Sequence, residues 1–289
     1  DNKNPEYEGG KVKMQKEIVV IGGGIAGIQA SLDLANRGFK VYLVEKDLSI
    51  GGRMAQLDKT FPTMDCSICI LAPKMIECSH HPNVKLLTYS EVKEVKGSVG
   101  NFKVKVLRKP RYVDETKCTG CGTCVENCPE EAPSEFDENM GIRKAIYMPF
   151  PQAVPRVMVI DKDNCIECGL CEKVCQANVI NREQQPEEIE LDVGAIVVAT
   201  GFDMFDPSVI PQYGYKRFKN VITAMELERL LCASGPTGGH LIRPSDGKIP
   251  RSVAFIQCIG SRDRREWINH PYCSSICCKY AVKDAVLIK

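Results

Sequence analysis

Apolar residues first form a regular pattern after residue 16, and the residues before that point are polar and charged. Residues 17–22 read Glu-Ile-Val-Val-Ile-Gly, which has the length and β-branched composition of a buried strand. Residues 28–37 have a helical pattern, and residues 40–44 form a second apolar strand that ends on Glu45. The order strand, helix, strand predicts a parallel β-α-β unit.

A glycine motif joins the first strand to the helix. Gly22, Gly24 and Gly27 form G-x-G-x-x-G. In a β-α-β unit the first glycine permits a tight turn, the second lets the backbone approach a pyrophosphate, and the third lets the helix pack close to the strand. The helix N-terminus would then face the phosphates, and the Glu45 carboxylate would accept ribose hydroxyls. The motif in this context predicts a dinucleotide-binding domain.

Two further segments favour FAD over NAD. A second glycine turn with a cation, Gly51-Gly52-Arg53, suits the rest of a flavin dinucleotide's pyrophosphate. Residues 194–201 form an apolar strand ending in a small-residue turn, which resembles the second signature of flavoproteins such as thioredoxin and glutathione reductases. Val92 corresponds to the place where the backbone of those proteins meets adenine. The predicted FAD-binding residues are Gly22, Gly24, Ala26, Gly27, Glu45, Lys46, Gly52, Arg53, Met54, Val92, Thr200 and Gly201.

Eight cysteines between residues 117 and 175 carry the strongest signal. They form two C-x2-C-x2-C-x3-C runs, which hold [4Fe–4S] clusters of the bacterial ferredoxin type. The first three thiolates of a run close around one cubane, and the fourth crosses to the other cluster. One cluster is predicted at Cys118, Cys121, Cys124 and Cys175, and its neighbour at Cys165, Cys168, Cys171 and Cys128. Zinc sites, the alternative, use two separated pairs of ligands.

The ferredoxin-like residues interrupt the predicted flavin domain. We predict an α/β fold, a Rossmann-like FAD domain of the thioredoxin or disulfide reductase type with an inserted α+β two-cluster ferredoxin domain. The predicted parts are a leader (1–16), a discontinuous FAD-binding domain (17–109 and 183–250), the inserted ferredoxin domain (110–182) and the start of a second Rossmann-like unit (251–289). Residues 141–155 hold three prolines, and we interpret them as a structural clamp onto the flavin domain.

The last part begins like the nicotinamide-binding unit of disulfide reductases and then departs from it. Residues 251–257 predict its first strand, but this strand runs into Cys258 and the G-x-G-x-x-G loop is missing. Cys273, Cys277 and Cys278 follow, and the last two open a predicted helix. Their spacing matches no ordinary zinc or ferredoxin motif. From the residues alone, inert buried thiols and a further cluster both stay open.

Composition narrows the class of protein further. Lys and Arg together number 38, and Asp and Glu number 37. The chain therefore has almost no net charge that would favour binding to nucleic acid or to an anionic membrane. Sixteen cysteines without a signal-peptide core indicate metal ligation in a reducing compartment rather than secreted disulfides. No apolar run approaches the roughly 18 residues that a membrane span requires. We therefore expect a cytoplasmic protein.

The motifs together resemble a known family. The FAD fingerprint, residues 61–75, the two ferredoxin runs, residues 143–155 and Cys258 with residues 272–278 are similar to the A subunit of heterodisulfide reductase. The same core also resembles the flavin subunits of two other complexes. These are the quinone-interacting oxidoreductases of sulfate reducers and the benzoyl-CoA reductase complexes. The resemblance implies at least three [4Fe–4S] clusters, the third of them near the flavin. Its implied ligands are Cys258, Cys273, Cys277 and Cys278.

The resemblance also implies a function and partners. It implies an oxidoreductase subunit that passes electrons between FAD, the clusters and other subunits of an oligomeric complex, with a hydrogenase, a formate dehydrogenase or ferredoxin as further partners. Flavin-based electron bifurcation is suggested by family analogy alone. One alternative is an NAD(P)H-dependent flavoprotein disulfide reductase that uses Cys66 and Cys69, against which the missing glycine loop argues. Another is a structural hub whose clusters only stiffen the fold.

Four cysteines remain without a predicted role, namely Cys66, Cys69, Cys78 and Cys232. The first three could hold a fourth cluster, completed by Cys232 or by a partner. They could equally be free thiols, and a redox-active C-x2-C dithiol beside the flavin is the third interpretation. Longer members of the resembling family carry an additional domain at each end, so this chain would be a fragment or the ordered part of such a protein.

Overall fold

A computed structural model describes residues 16–268 and 270–289 of the chain. The predicted leader therefore lies outside the described residues, except for residue 16. The strands are β1 (Glu17–Ile21), β2 (Lys40–Val44), β3 (Val84–Leu87), β4 (Ser90–Ser98), β5 (Asn101–Arg108), β6 (Glu131–Pro133), β7 (Ile142–Lys144), β8 (Ile146–Tyr147), β9 (Val159–Ile160), β10 (Glu187–Val193) and β11 (Ala195–Val198). The helices are α1 (Ile25–Asn36), α2 (Ser67–His80), α3 (Thr123–Glu126), α4 (Leu170–Val174), α5 (Ala224–Leu231) and α6 (Cys277–Leu287). Short 3-10 turns lie at Gly52–Gln56, Glu135–Asp137, Pro207–Val209 and Pro211–Tyr213.

A four-stranded parallel sheet in the order β11-β1-β2-β3 is the centre of the flavin-domain part. Val19 and Val20 of β1 are fully buried, because the sheet is covered on both faces. One face packs on α1 and α2 through residues such as Ile28 and Leu71. The other packs on a three-stranded antiparallel sheet, β10-β5-β4, through residues such as Val104. The predicted β-α-β unit and α/β class are confirmed.

Residues 109–186 leave and re-enter this second sheet at neighbouring positions. Strand β5 ends at Arg108 and strand β10 begins at Glu187, and these two residues face each other in the antiparallel pair. The intervening residues contain strands β6 to β9, helices α3 and α4, and a small core of their own. That core combines apolar side chains such as Ile146, Met158 and Val179 with buried cysteines.

The segment of residues 134–155 packs directly onto the flavin-domain part. Phe150 and Ala153 belong to the same apolar core as Val20 and Ile28. The backbone N–H of Ile50 donates to Val154 O (3.0 Å), and the backbone N–H of Val154 donates to Ser49 Oγ (2.8 Å). The contact that the clamp interpretation requires is therefore present.

Buried charges reinforce this contact. Arg229 on α5, which is 1% exposed, donates from Nε to Asp137 Oδ1 (3.0 Å) and from Nη1 to Gln56 O (2.9 Å). Arg53 pairs with Glu138 at 2.8 Å. Since an isolated charge is costly to bury, these pairings fix how the segment sits on the flavin side.

The predicted strand over residues 251–257 is wrong. These residues are assigned to no strand, and Val253, Phe255 and Ile256 are exposed. A strand requires a hydrogen-bonded neighbour, and no strand in the described part of the chain pairs with this segment. The helix predicted after Cys277 is formed as α6. Among the described residues, no helix has both the length and the apolar character that a bilayer crossing requires.

Candidate functional site

Two positions of the first glycine loop, Gly22 and Gly27, leave no space for a side chain. A Cβ added to Gly27 would lie 1.8 Å from Gly22 O, and one added to Gly22 would lie 2.3 Å from Ala199 O. Gly22 also has φ +106°, a conformation that favours glycine. Helix α1 and the end of β11 therefore pack against the turn itself. This is the close helix–strand packing that the third glycine of the motif permits.

The second glycine turn lies on the first. Gly51 N–H donates to Gly23 O (2.7 Å), and a Cβ on Gly52 would lie 3.0 Å from Gly24 Cα. A Cβ on Gly24, by contrast, would meet no atom within 4 Å. Gly24 is the N-cap of α1 and gives that helix no side-chain cap, so the first N–H groups of the helix remain for another acceptor. This open, N–H-lined place fits a pyrophosphate.

Glu45 holds the glycine loop from the neighbouring strand. Its Oε2 accepts the backbone N–H of Gly23 (2.5 Å) and its Oε1 accepts that of Asp47 (2.9 Å). Burial raises the pKa of this carboxyl above its usual range, against the lowering effect of these hydrogen bonds. Each oxygen keeps a lone pair for a ribose hydroxyl, but the structural role of Glu45 was not predicted.

The other predicted FAD residues gather at the carboxyl ends of the parallel strands, where ligands of open α/β sheets bind. Thr200 and Gly201 follow β11 next to the first glycine turn. Val92 lies in β4, which begins where Ser90 N–H donates to Glu45 O (2.8 Å). Ala26 and Lys46 are exposed, and Met54 is half-buried in the 3-10 turn. Arg53 is paired with Glu138 at 2.8 Å, and its contact with a pyrophosphate stays a prediction.

Three cysteines of the second ferredoxin run and one cysteine of the first run line a single small cavity. Its cysteines are Cys128, Cys165, Cys168 and Cys171. The structure thus brings together the four cysteines of one predicted cluster, including the crossover residue Cys128. Apolar side chains, among them Ile146 and Leu170, line the same cavity. Arg182 Nη2 lies 3.8 Å from Cys171 Sγ, where it would offset thiolate charge.

The other ferredoxin cysteines are also neighbours. Burial, followed by the charges of Cys118 and Cys121, raises the pKa of Cys124 to about 11. Cys175 packs on the same small core as Cys118 and Cys124. Glycines in the left-handed region, Gly122 (φ 89°) and Gly169 (φ 75°), turn the chain into α3 and α4 directly after each C-x2-C.

The four cysteines of the non-standard motif also converge. The charges of Cys277, Cys258 and Cys273 act together with burial to raise the pKa of Cys278. Cys277 is the first residue of α6 and accepts a hydrogen bond from Ser274 Oγ (3.3 Å). Cys258 and Cys273 therefore lie close enough to act electrostatically on Cys278 at the start of α6, although they are up to twenty residues away in sequence. In the part of the chain that the structure describes, no three His, Cys, Asp or Glu side chains are close enough to hold a single metal ion.

A buried charged group next to these cysteines was missed by sequence reasoning. Lys283 on α6 forms ion pairs with Glu228 of α5 and with Asp284 (3.2 Å). It also donates to Lys59 O (3.3 Å). All three charged residues of the group are at most 2% exposed. Helices α5 and α6 have ordinary numbers of charged residues. The local sequence therefore does not show that Lys283, Glu228 and Asp284 are the buried ones.

The positions of Cys66, Cys69 and Cys78 along helix α2 distinguish between the interpretations of the remaining cysteines. Cys66 is the N-cap of α2, and Cys69, in its first turn, is paired with it as a disulfide. Cys78 is fully buried nine residues further along the same helix, about 13.5 Å from Cys69 at 1.5 Å per residue. The alternative in which Cys66, Cys69 and Cys78 hold one cluster is therefore wrong. Cys232 is buried after α5 and contacts Ser234 Oγ (3.3 Å).

Comparisons with known proteins agree with the motifs. Residues 17–65 match the family described as FAD dependent oxidoreductase, and residues 117–180 match the 4Fe-4S dicluster domain. Fold and site together define an iron–sulfur flavoprotein of the oxidoreductase class.

Curated relatives narrow the class. The chain is 60% identical over 98% of its length to the A subunit of the H(2):CoB-CoM heterodisulfide,ferredoxin reductase of Methanothermobacter marburgensis, and covers 42% of it. It is 63% identical over 96% of its length to an iron-sulfur A subunit of the CoB–CoM heterodisulfide reductase of Methanopyrus kandleri, again covering 42%. Over nearly all of its length the chain is thus similar to A subunits of heterodisulfide reductases, which confirms the resemblance. It spans less than half the length of these relatives.

Solved structures match a smaller part of the chain. One is the putative thioredoxin reductase TrxB of Bacillus anthracis, at 26% identity and a TM-score of 0.26, over 31% of this chain and 30% of that one.

Proposed function

We propose that the chain is an electron-transfer segment of a heterodisulfide-reductase-like complex. It would hold FAD at the two glycine turns, two [4Fe–4S] clusters in a ferredoxin domain inserted at residues 110–182, and a third cluster at the Cys258 group. FAD, when bound, supplies two-electron and one-electron redox chemistry, and the clusters supply one-electron chemistry. The protein supplies ligation, orientation, burial and hydrogen bonds.

The observation that carries this proposal is the attachment of the ferredoxin segment to the flavin side. Phe150 completes the apolar core behind the glycine turns, and its ring stacks on Phe136 at 4.6 Å. Arg229 and Arg53 then pair with Asp137 and Glu138 of the same segment. A segment held this way keeps a fixed position relative to the glycine turns. A fixed position is what electron transfer requires, because its rate depends on the separation of the centres.

The ligand sets follow from which cysteines are neighbours. Cys128 shares its cavity with Cys165, Cys168 and Cys171, and this supports the crossover arrangement of a dicluster ferredoxin. The convergence of Cys258, Cys273, Cys277 and Cys278 supports a third cluster at the position where disulfide reductases bind a nicotinamide. The domain boundaries predicted above belong to this proposal.

The relatives' names suggest the partners. One relative is named as part of a heterodisulfide,ferredoxin reductase, so we propose other subunits of such a complex and ferredoxin as partners. A hydrogenase or formate dehydrogenase, oligomeric assembly, a cytoplasmic location and electron bifurcation remain parts of the proposal that rest on the family alone.

The proposal is tested by cofactor counting on the purified chain. We expect one FAD and about twelve iron atoms per chain, four for each cluster, with visible absorbance that bleaches on dithionite titration. Fewer than eight iron atoms, or clusters that never change oxidation state, would contradict it.

The alternative, an NAD(P)H-dependent disulfide reductase, has its own test. We expect NADH alone to leave the flavin absorbance unchanged over minutes, because Cys258 follows residues 251–257 where a nicotinamide glycine loop would be. Rapid bleaching by NADH would favour the alternative, and dithionite serves as the positive control for reducibility.

A further inference from the structure

We propose that Cys66 and Cys69 form a reversible dithiol–disulfide centre, which exchanges two electrons with an external dithiol and does not bind iron. The pair stands apart from the twelve cysteines assigned to clusters. It is already joined as a disulfide in the fold. The proposal is independent of the proposed function, since its partner is a thiol rather than a flavin or cluster.

The pair has a fixed and accessible position. Cys66 is half-buried and Cys69 is exposed, at the first turn of a 14-residue helix. Around them, Ser67 N–H donates to Asp58 O (3.1 Å) and Ser67 Oγ donates to Met54 O (2.7 Å). Cys66 also forms a β-bridge with Lys59. The backbone is thus held on both sides while one sulfur faces solvent.

A role in stability does not explain the pairing. A disulfide stabilises a fold mainly by restricting the unfolded chain, and the effect grows with the length of the closed loop. Here the two residues are three apart in sequence, so the loop is minimal. Moreover, Cys69 lies in a helical turn that forms part of α2 in any case. In reducing compartments, disulfides of this kind are usually transient and chemically active.

Ligation of a cluster by the cysteines of α2 alone does not explain it either. A cubane needs four ligands, and the cysteine nearest in sequence, Cys78, lies at the far end of α2 and is fully buried. Two cysteines alone are, however, a complete thiol–disulfide couple.

The exchange reaction balances without any further reactant. One thiolate of an external dithiol attacks the exposed Cys69 sulfur, the Cys66–Cys69 bond breaks, and Cys66 leaves as a thiolate. The α2 N-terminus stabilises this negative charge. The second thiol of the partner then displaces Cys69, so the partner becomes a disulfide, and Cys66 and Cys69 take up its two protons as thiols. Reversal oxidises the pair.

A single tryptic peptide contains both cysteines and no others, so their oxidation state can be measured separately from that of the rest of the chain. Cleavage after Lys59 and Lys74 yields residues 60–74, which contain Cys66 and Cys69 and no other cysteine. The purified holo-chain is equilibrated with reduced and oxidised dithiothreitol in varied ratio and quenched in acid. It is then denatured, alkylated and digested, and the masses of its peptides are measured by mass spectrometry. We expect the peptide to pass from unlabelled to doubly labelled, from one tenth to nine tenths over an about 80-fold change in the ratio, as a two-electron couple requires.

Controls come from the same chain. Residues 75–85 hold only Cys78 and should carry one label at every ratio. In a Cys69→Ser variant, Cys66 should likewise carry one label throughout. The Cys66→Ser/Cys69→Ser variant should keep its full iron content. Double labelling at every ratio, no labelling at any ratio, or loss of iron from the double variant would each overturn the proposal.

Discussion

Arg229 Nε donates to Asp137 Oδ1 across 3.0 Å, which joins helix α5 of the flavin-domain part to the ferredoxin segment. The arginine is 1% exposed and also binds Gln56 O. The arginine therefore depends on this carboxylate to balance its buried charge. The pair shows that the two parts of the chain are joined by more than their covalent crossings.

Arg229→Met should lower the free energy of unfolding by about 3 kcal/mol, because it leaves Asp137 without its partner in a partly buried place. Thermal unfolding followed by far-UV circular dichroism measures the loss. The matched control is Arg243→Met, which removes an exposed pair with Asp246 and should cost about 1 kcal/mol or less. Equal losses for the two variants would mean that the Arg229 pair is not structurally special.

Gly24→Ala and Gly27→Ala should fail in different ways. The methyl group at position 24 meets open space, so the fold should survive while FAD binds at least about tenfold more weakly. The methyl group at position 27 would collide with Gly22 O at 1.8 Å, so the chain should misfold or lose stability severely. Circular dichroism and flavin fluorescence titration separate the two outcomes. Normal FAD affinity in Gly24→Ala would refute the pyrophosphate assignment.

Cys277→Ser should remove about four iron atoms per chain and leave the two ferredoxin-type clusters in place. The reason is that Cys277 belongs to the Cys258 group and is remote in sequence from the ferredoxin runs. Iron analysis and electron paramagnetic resonance of the reduced chain measure the loss. Cys232→Ser, which changes a buried cysteine outside all three groups, should keep all the iron. Unchanged iron in Cys277→Ser would show that the group binds no cluster.

Asp284→Asn should stabilise the fold at neutral pH. Burial raises the pKa of Asp284 to about 6, against the lowering effect of the Lys283 ammonium group, which lies 3.2 Å from Oδ1. The folded chain therefore keeps this proton up to about pH 6, whereas the unfolded chain releases it near pH 4. Between these values the folded state binds more protons, so raising the pH lowers the free energy of unfolding.

The amide cannot ionise, so the variant should lack this fall. We expect it to be more stable than the parent by on the order of 2 kcal/mol above pH 6, with the difference shrinking toward pH 4. Unfolding midpoints measured across this range provide the test. Asp246→Asn, at an exposed pair, should show no such dependence. A destabilised Asp284→Asn at pH 7 would mean that the charged form is the favoured one.

The sequence predicted those features that local chemistry determines. Apolar runs at residues 17–22 and 40–44 became β1 and β2 with bounds that agree to within one residue, because a parallel strand covered on both faces is largely apolar. The glycines were identifiable because the turn leaves no space for a Cβ at Gly27. Cysteine spacing predicted which residues approach each other, Cys128 included, because a cubane imposes its own geometry on the chain.

Features that depend on distant partners were not predictable. Residues 251–257 have the composition of a strand, yet composition does not supply a hydrogen-bonded neighbour. The pairing of Arg53 with Glu138, 85 residues away in sequence, was likewise not predictable. The burial of Lys283 depends on Glu228 of another helix. In each case the residue that determines the outcome is far away in sequence, so a short stretch of sequence does not reveal it.

The facing of Arg108 and Glu187 across two adjacent strands means that a short hairpin turn could in principle close the sheet in place of residues 109–186. Such an excision would nevertheless leave a gap. Phe150 and Ala153 would be missing from the interior beside Val20, and Arg229 would lose its counter-ion. The flavin-domain part therefore takes some of its interior and a counter-ion from residues 109–186, and a shortened chain without them would need a repacked interior.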